Sequence, residues 1–335
     1  MREVHEMIEQ QLVSLPYWPL IDAHIDTIST MKEAGLDFRQ RQATTHADLP
    51  RLLEAGMSVQ VLALFAPPNP NKSITLQKIL SYLEYVWQCA DSDSRLEIVR
   101  TTADLPSIDR ADGKLRAVLA VEGGDCLGDE VWVLRLLHRL GVRLLTLTWS
   151  NRNLLADGVW EAESKGGLTR FGREVIQEME ELGMIIDVSH ISPTGFWDVA
   201  ELVSGPFIAS HSNAQALCGH PRNLGDDQIR CIAEHGGVIG VNFCQPHLTQ
   251  GGASSIEDVI AHVEYLWKVA GDDHVGLGTD YDGIDSAPEG LDDVTHLSQL
   301  IHRLAQRGHS RDRLGKFAGG NFLRVFRAIL PVERL

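Results

Sequence analysis

Apolar and polar positions follow one repeated order along the chain: a short apolar run, a polar loop, then a stretch with apolar residues three and four apart. Such runs predict strands and helices, and their alternation predicts parallel strands joined by helical crossovers. The predicted strands are Leu20–Asp26, Ser58–Phe65, Ala117–Glu122, Val142–Thr148, Met184–His190, Phe207–His211, Val238–Phe243 and Val275–Asp280. Eight is the number that a closed (β/α)8 TIM barrel of the α/β class needs. Helices are predicted over Asp48–Glu54, along the stripe Leu76, Ile79, Leu80, Leu83, Val86 and Trp87, over Val131–Leu140, and over Arg170–Leu182 with Gly183 as its stop. Ser254 and Glu257 read as a capping box opening a helix to Ala270, and Leu291–Arg307 and Arg311–Ala328 complete the set. No linker or low-complexity tract interrupts the pattern, so a single domain is expected over 1–335, with 1–16 as a helical lead-in.

The first strand breaks the apolar rule. Read as regular alternation, Ile21, Ala23 and Ile25 face one side and Asp22, His24 and Asp26 the other. A strand buried on both faces should not carry such charges unless they are paired or bind a metal. A wet strand end is the alternative. The same feature recurs at the ends of other predicted strands, as Glu122, His190, His211 and Asp280. Barrel chemistry sits at those C-terminal ends. Imidazole nitrogen and carboxylate oxygen are ligand types that zinc prefers, and no thiolate lies among them. Six such residues exceed the needs of one tetrahedral ion, and two ions sharing one carboxylate would use them better. Glu122 is the natural bridge, because its strand lies between the two ligand groups in chain order.

Each residue also has a plain structural reading. A histidine at a strand end is often a hydrogen-bonded loop residue, Glu122 could cap the turn at Gly123-Gly124, and Asp280 and Asp282 could serve a turn around Tyr281. That reading must place a polar group of buried type at five strand ends by chance. Among the other histidines, His138, His262 and His302 fall within helical patterns, and His5, His46 and His309 read as surface residues. His235, His247, His274 and His296 fall in loops or at element edges, and His220 stays ambiguous beside Arg222.

Composition narrows the partners. Of 335 residues, 44% are hydrophobic and 23% charged, as in ordinary globular proteins. Lys and Arg total 30 against 46 Asp and Glu, a formal net charge of −16 that repels nucleic acid and anionic membranes. Cysteines at 89, 126, 218, 231 and 244 form no Cys-x-x-Cys pair and read as reduced thiols. No apolar run reaches the ~18 residues of a membrane span. A cytoplasmic protein with no nucleic-acid or membrane partner, no secretory leader and no lipid anchor is expected.

Several motifs then fall together. Asp22-Ala23-His24-Ile25-Asp26, Val121-Glu122-Gly123, Leu145-Thr146-Leu147-Thr148 and Ile186-Asp187-Val188-Ser189-His190-Ile191-Ser192 are followed by Ser210-His211-Ser212, Arg222-Asn223, Gly278-Thr279-Asp280-Tyr281-Asp282-Gly283 and Gly320-Asn321-Phe322-Leu323-Arg324-Val325-Phe326. In this order, over nearly the whole chain, the set resembles the membrane (renal) dipeptidases, zinc peptidases related to the amidohydrolases. The resemblance implies two zinc ions per chain, one held by His24 and Asp26, the other by His190 and His211, with Glu122 bridging. It implies that Arg222 holds the C-terminal carboxylate of a dipeptide and that Asp280 transfers the proton. It also implies hydrolysis by a metal-bridging hydroxide, a D-residue on the C-terminal side, and a homodimer.

One position departs from the family. Its better-known members carry histidine after the Leu-Thr-Leu-Thr strand, where this chain has Trp149, and an indole donates a hydrogen bond but carries no charge. Trp149 and Asn151 are therefore candidate substrate contacts, with Arg152 and Asn153 as other donors. Asp187 and Asp22 are candidates for orienting the ligands. Another binuclear hydrolase of the same barrel, a lactonase, deaminase or cyclic amidase, is the alternative activity, and a non-catalytic metal-binding barrel is the third reading.

Overall fold

The computed structural model describes residues 18–107 and 112–333; the expected lead-in over 1–16 lies outside the described residues. Strands β1 (Leu20–Ile25), β2 (Met57–Phe65), β3 (Leu96–Ile98), β4 (Leu115–Glu122), β5 (Val142–Thr146), β6 (Ile185–Asp187), β7 (Ile239–Val241) and β8 (Val275–Leu277) share one sheet. Its order is β6-β5-β4-β2-β1-β8-β7, with β3 beside β4. The gap between β6 and β7 is filled by the chain around Ile208 and Ala209. The Val188 N–H donates to the Ile208 carbonyl at 2.8 Å, and the Gly240 N–H to the Ala209 carbonyl at 2.8 Å. A TIM-barrel-like ring of parallel staves with helices outside results.

The sixth predicted strand, Phe207–His211, is thus a stave held by two isolated bridges, Asp187↔Ile208 and Ala209↔Ile239. Ser210 and His211 leave the ladder because their polar groups turn to Asp187 and Ser189. Strand β3 was not foreseen, since three residues are too short to display an alternation.

Strand β1 does not alternate regularly. It pairs with β2 as Asp22↔Gln60 and then Ile25↔Leu62, so one extra residue is accommodated between them. Ile21 and Ala23 consequently join the inner cluster of Val59, Val61, Val118, Ala120, Leu144 and Ile185, whereas Ile25 packs in the outer one. This irregularity frees His24 and Asp26 from the face that Asp22 occupies. The helix Asn321–Ile329 closes the barrel from below, with Phe322 and Phe326 in the inner cluster.

Outer helices follow the predicted stripes with shifted ends. Lys72–Ser92 carries the Ile79, Leu83 and Val86 face, and Arg170–Leu182 ends at Gly183 with φ 65°. The capping box sits one residue later than expected, at Ser255 and Asp258, where Ser255 has the extended backbone of a cap and its N–H and hydroxyl donate to Asp258 Oδ2. The expected helix over Arg311–Ala328 is broken into Arg311–Gly315, a π turn over Lys316–Gly320, and Asn321–Ile329. Gly319 lies against the Pro19 carbonyl and Ile21, leaving no space for a Cβ. Thr27–Ala34, Pro193–Leu202 and Asp226–Glu234 are further helices that the apolar stripes did not announce.

Candidate active site

Separate staves deliver the polar side chains to one rim. His24 and Asp26 come from the end of β1, Glu122 ends β4, His190 follows β6, His211 follows the sixth stave, and Asp280 follows β8. His24 Nε2 lies 3.4 Å from Asp26 Oδ2, 3.8 Å from Glu122 Oε2 and 3.9 Å from Asp280 Oδ1. The other Glu122 oxygen, Oε1, lies 3.0 Å from His190 Nε2 and 3.6 Å from His211 Nε2. Each oxygen of Glu122 therefore faces a different ligand group.

The backbone is bent to make this possible. His190, Asp280 and Asp282 have φ of 68°, 64° and 67°, the left-handed region that side chains other than glycine rarely adopt. Each such residue costs about 1–3 kcal/mol and persists only where its surroundings hold it. Gly283 completes the turn, and a Cβ there would collide with the carboxylates of Asp26 and Asp280.

Buried hydrogen bonds fix the imidazoles. Asp187 Oδ2 accepts from Thr146 Oγ1 and Ser210 Oγ, each at 2.6 Å. With its proton given to Asp187, the Ser210 hydroxyl accepts from His211 Nδ1 at 2.7 Å. The Nε2 lone pair of His211 then faces His190 Nε2 at 2.9 Å and Glu122 Oε1 at 3.6 Å. Ser150 Oγ meets His190 Nδ1 at 2.9 Å on the other side. Asp22 accepts from the Thr279 amide at 2.9 Å and its hydroxyl at 2.7 Å, which anchors the chain just before Asp280.

The electrostatics call for positive charge. Burial, reinforced by Asp26 and Asp280, pushes the Glu122 carboxyl well above its usual range. Burial likewise pushes Asp280 up to about 7. Burial opposes charge on His24, yet Glu122, Asp26 and Asp280 outweigh it and carry its pKa up to about 10. Burial, together with the Arg222 and His24 charges, holds His190 and His211 well below the ordinary imidazole value, in the neutral form that ligates metals. His24 Nε2 and Asp26 Oδ1 are buried without a hydrogen-bond partner. His24, Glu122 and His211 offer ligand atoms within 4.8 Å of one another, as do His24, Asp26 and Asp280. Orphaned ligand atoms and crowded carboxylates are what a cation would resolve, so the donor set fits divalent metal.

Above these residues opens a cavity of about 850 Å³. Arg222 is buried in its wall, with Nη2 donating to the His211 carbonyl at 3.0 Å and Nε unpartnered. No carboxylate among the described residues forms an ion pair with it. Trp149 also faces the cavity, with ring centroids 5.3 Å from Phe65, 4.9 Å from Trp160 and 6.2 Å from His190. Asn151 is half-buried and is not among the lining residues. Arg152 pairs with Asp157, and Asn153 turns inward to the Leu147 carbonyl.

Several contributors escaped the sequence reading. His247, expected in a loop or at an element edge, lies in the short helix Gln245–Leu248, lines the cavity and packs against His220 at 4.4 Å between ring centroids. Asn242 donates to Asp280 Oδ2 at 2.9 Å, leaving Oδ1 toward His24. No spacing pattern announces either residue. Ser210 had one signal, its position next to His211.

A sequence profile of the membrane dipeptidases (peptidase family M19) matches residues 10–334. The chain belongs to that family. It is a metallopeptidase of the M19 dipeptidase type, with candidate metal ligands converging at the barrel rim. Among solved structures, the dipeptidase AC of family M19 is 28% identical and superposes with a TM-score of 0.87, over 93% of this chain and 99% of that one. A metallopeptidase from Rhodobacter sphaeroides, liganded with a phosphinate mimic of the dipeptide L-Ala-D-Ala, is 28% identical with a TM-score of 0.86, again over 93% and 99% of the two chains. The probable dipeptidase PvdM from Pseudomonas aeruginosa shares the fold at 21% identity, with a TM-score of 0.88 over 98% and 99%. Despite the M19 family's name, no helix among the described residues is long and apolar enough to cross a membrane.

Proposed function

We propose that the protein hydrolyses the amide bond of dipeptides, using two zinc ions held by His24 and Asp26 on one side, His190 and His211 on the other, and Glu122 between. The observation that carries this reading is the placement of Glu122, whose two oxygens address two histidine groups at 3.8 Å and at 3.0 and 3.6 Å. Bound there, such ions would polarise the scissile carbonyl and lower the pKa of an attacking water.

The chain's own residues do the rest. Arg222, a buried cation without a carboxylate partner among the described residues, pairs with the free C-terminal carboxylate of the substrate. That pairing selects dipeptides, because the carboxylate must lie one residue beyond the cut. Asp280, steadied by Asn242, accepts the proton of the attacking water and returns it to the leaving amine. Trp149, Phe65 and Trp160 offer an apolar wall to a substrate side chain. A D-residue at the C-terminal side draws support from the L-Ala-D-Ala mimic bound by the Rhodobacter relative.

The proposal includes a cytoplasmic location, supported by five free cysteines, and a homodimer, to be measured by light scattering. The activity is tested with L,L and L,D dipeptides, an N-acyl amide without a free carboxylate, a lactone and a cyclic amide. Hydrolysis of dipeptides that chelation abolishes and zinc restores is the expected result. Turnover of the lactone or cyclic amide alone would overturn the reading.

A further inference from the structure

At the opposite end of the barrel from the metal ligands, three segments bring basic side chains together. Arg143 lies in β5, Arg100 just beyond β3, and His138 and Arg139 end the helix Val131–Arg139. With Arg135 and Leu182 they line a cavity of about 200 Å³. Arg135 is neutralised by Glu178, at 2.6 and 2.7 Å. Arg100, Arg139 and Arg143 form no ion pair with any described carboxylate. Asp104 acts on Arg143 through space, but in a chain of net charge −16 three guanidinium groups around one small cavity, none ion-paired among the described residues, need a reason.

Part of their hydrogen-bonding capacity is spent on the chain. Arg143 donates through Nη1 to the His138 and Val142 carbonyls and through Nε to the Arg100 carbonyl, each at 2.7 Å. Arg100 Nη2 reaches the Arg139 carbonyl at 3.5 Å. Other donor atoms of residues that line the cavity are left unspent. His138 is 4% exposed, and its Nε2 is buried without a partner; Arg100 Nε is in the same position. The groups also repel one another. Burial and the neighbouring arginines hold His138 down to about 4, and burial and Arg100 hold Arg143 down to about 10.

We propose that this cavity is a binding site for a phosphate dianion, either inorganic phosphate or the phosphoryl group of a small metabolite. Phosphate fits better than carboxylate, because the cations outnumber what two oxygens can engage and a dianion balances more of their charge. The site lies at the foot of β5, the strand whose other end leads into the loop that carries Trp149 and Ser150. Its occupation ties Arg100, the helix end and β5 together and raises stability through binding to the folded state alone.

The test uses the metal-loaded enzyme in phosphate-free buffer of constant ionic strength. Inorganic phosphate and a small sugar phosphate are titrated separately by calorimetry, with thermal unfolding in parallel. Saturable binding with a raised Tm is expected. Tighter binding of the sugar phosphate identifies a metabolite as the source, and tighter binding of inorganic phosphate identifies the free ion. R139Q and R100Q should each weaken binding about tenfold, one charged hydrogen bond's worth, and leave dipeptide hydrolysis intact. R222Q, at the other end of the barrel, should leave phosphate binding unchanged. Absence of saturable binding overturns the proposal. So does binding that survives both R139Q and R100Q, or binding that is lost in R222Q, which would put the anion at the metal rim.

Discussion

Ser210 donates its hydroxyl proton to Asp187 at 2.6 Å and accepts from His211 Nδ1 at 2.7 Å. A single serine thus sets the tautomer of a metal-facing imidazole. Replacing it with alanine leaves His211 Nδ1 without this partner and removes one of the two hydroxyl donors of Asp187 Oδ2. Groups of this kind support metal affinity by roughly 10- to 100-fold. We expect S210A to fold, to bind zinc weaker by that factor in competition with a chelator, and to regain activity at high zinc. Unchanged affinity would remove the orienting role.

Arg222 forms no ion pair with a carboxylate among the described residues, so its charge is available to substrate. R222Q should lower kcat/KM for dipeptides by roughly 10- to 100-fold, the worth of a charged hydrogen bond, and change turnover of an N-acyl amide without a carboxylate much less. Equal losses on both substrates would count against the carboxylate clamp.

Trp149 packs between Phe65 and Trp160 beside His190. W149A should raise KM for dipeptides with large apolar side chains several-fold while leaving kcat for small ones near the parent value. A uniform drop in kcat would instead place the indole at the reacting carbonyl.

His138 gives a pH signature. Its ordinary value is 6.5 and burial among arginines holds it down to about 4. The unfolded chain therefore takes up a proton in this window before the folded one does, and stability falls as pH drops from about 6.5 to 4. The contribution is present above 6.5 and lost as pH falls through 4. Denaturant titrations of H138Q in phosphate-free buffer should show a shallower loss across that window than the parent. Identical slopes would contradict the assignment.

The staves, the rim and the carboxylate–imidazole pattern were legible because hydrophobic runs and their polar ends are local features. The irregular register in β1 was not, since it depends on how Asp22 and Ile25 meet β2. Nor was the bridging character of Phe207–His211, decided by the pull of Asp187 on Ser210. His247 looked like a loop or edge residue because the helix Gln245–Leu248 is too short to show an apolar stripe. His138 read as an ordinary helical histidine, and only the fold shows three arginines from separate segments around it.

The central claim is that one carboxylate joins two metal sites. Metal content of the purified enzyme, measured beside E122A under identical loading, tests it most directly. The account predicts close to two equivalents of zinc in the parent protein, with E122A depleted and inactive on dipeptides. Full activity with a single equivalent, or dipeptide hydrolysis intact in E122A, would contradict it.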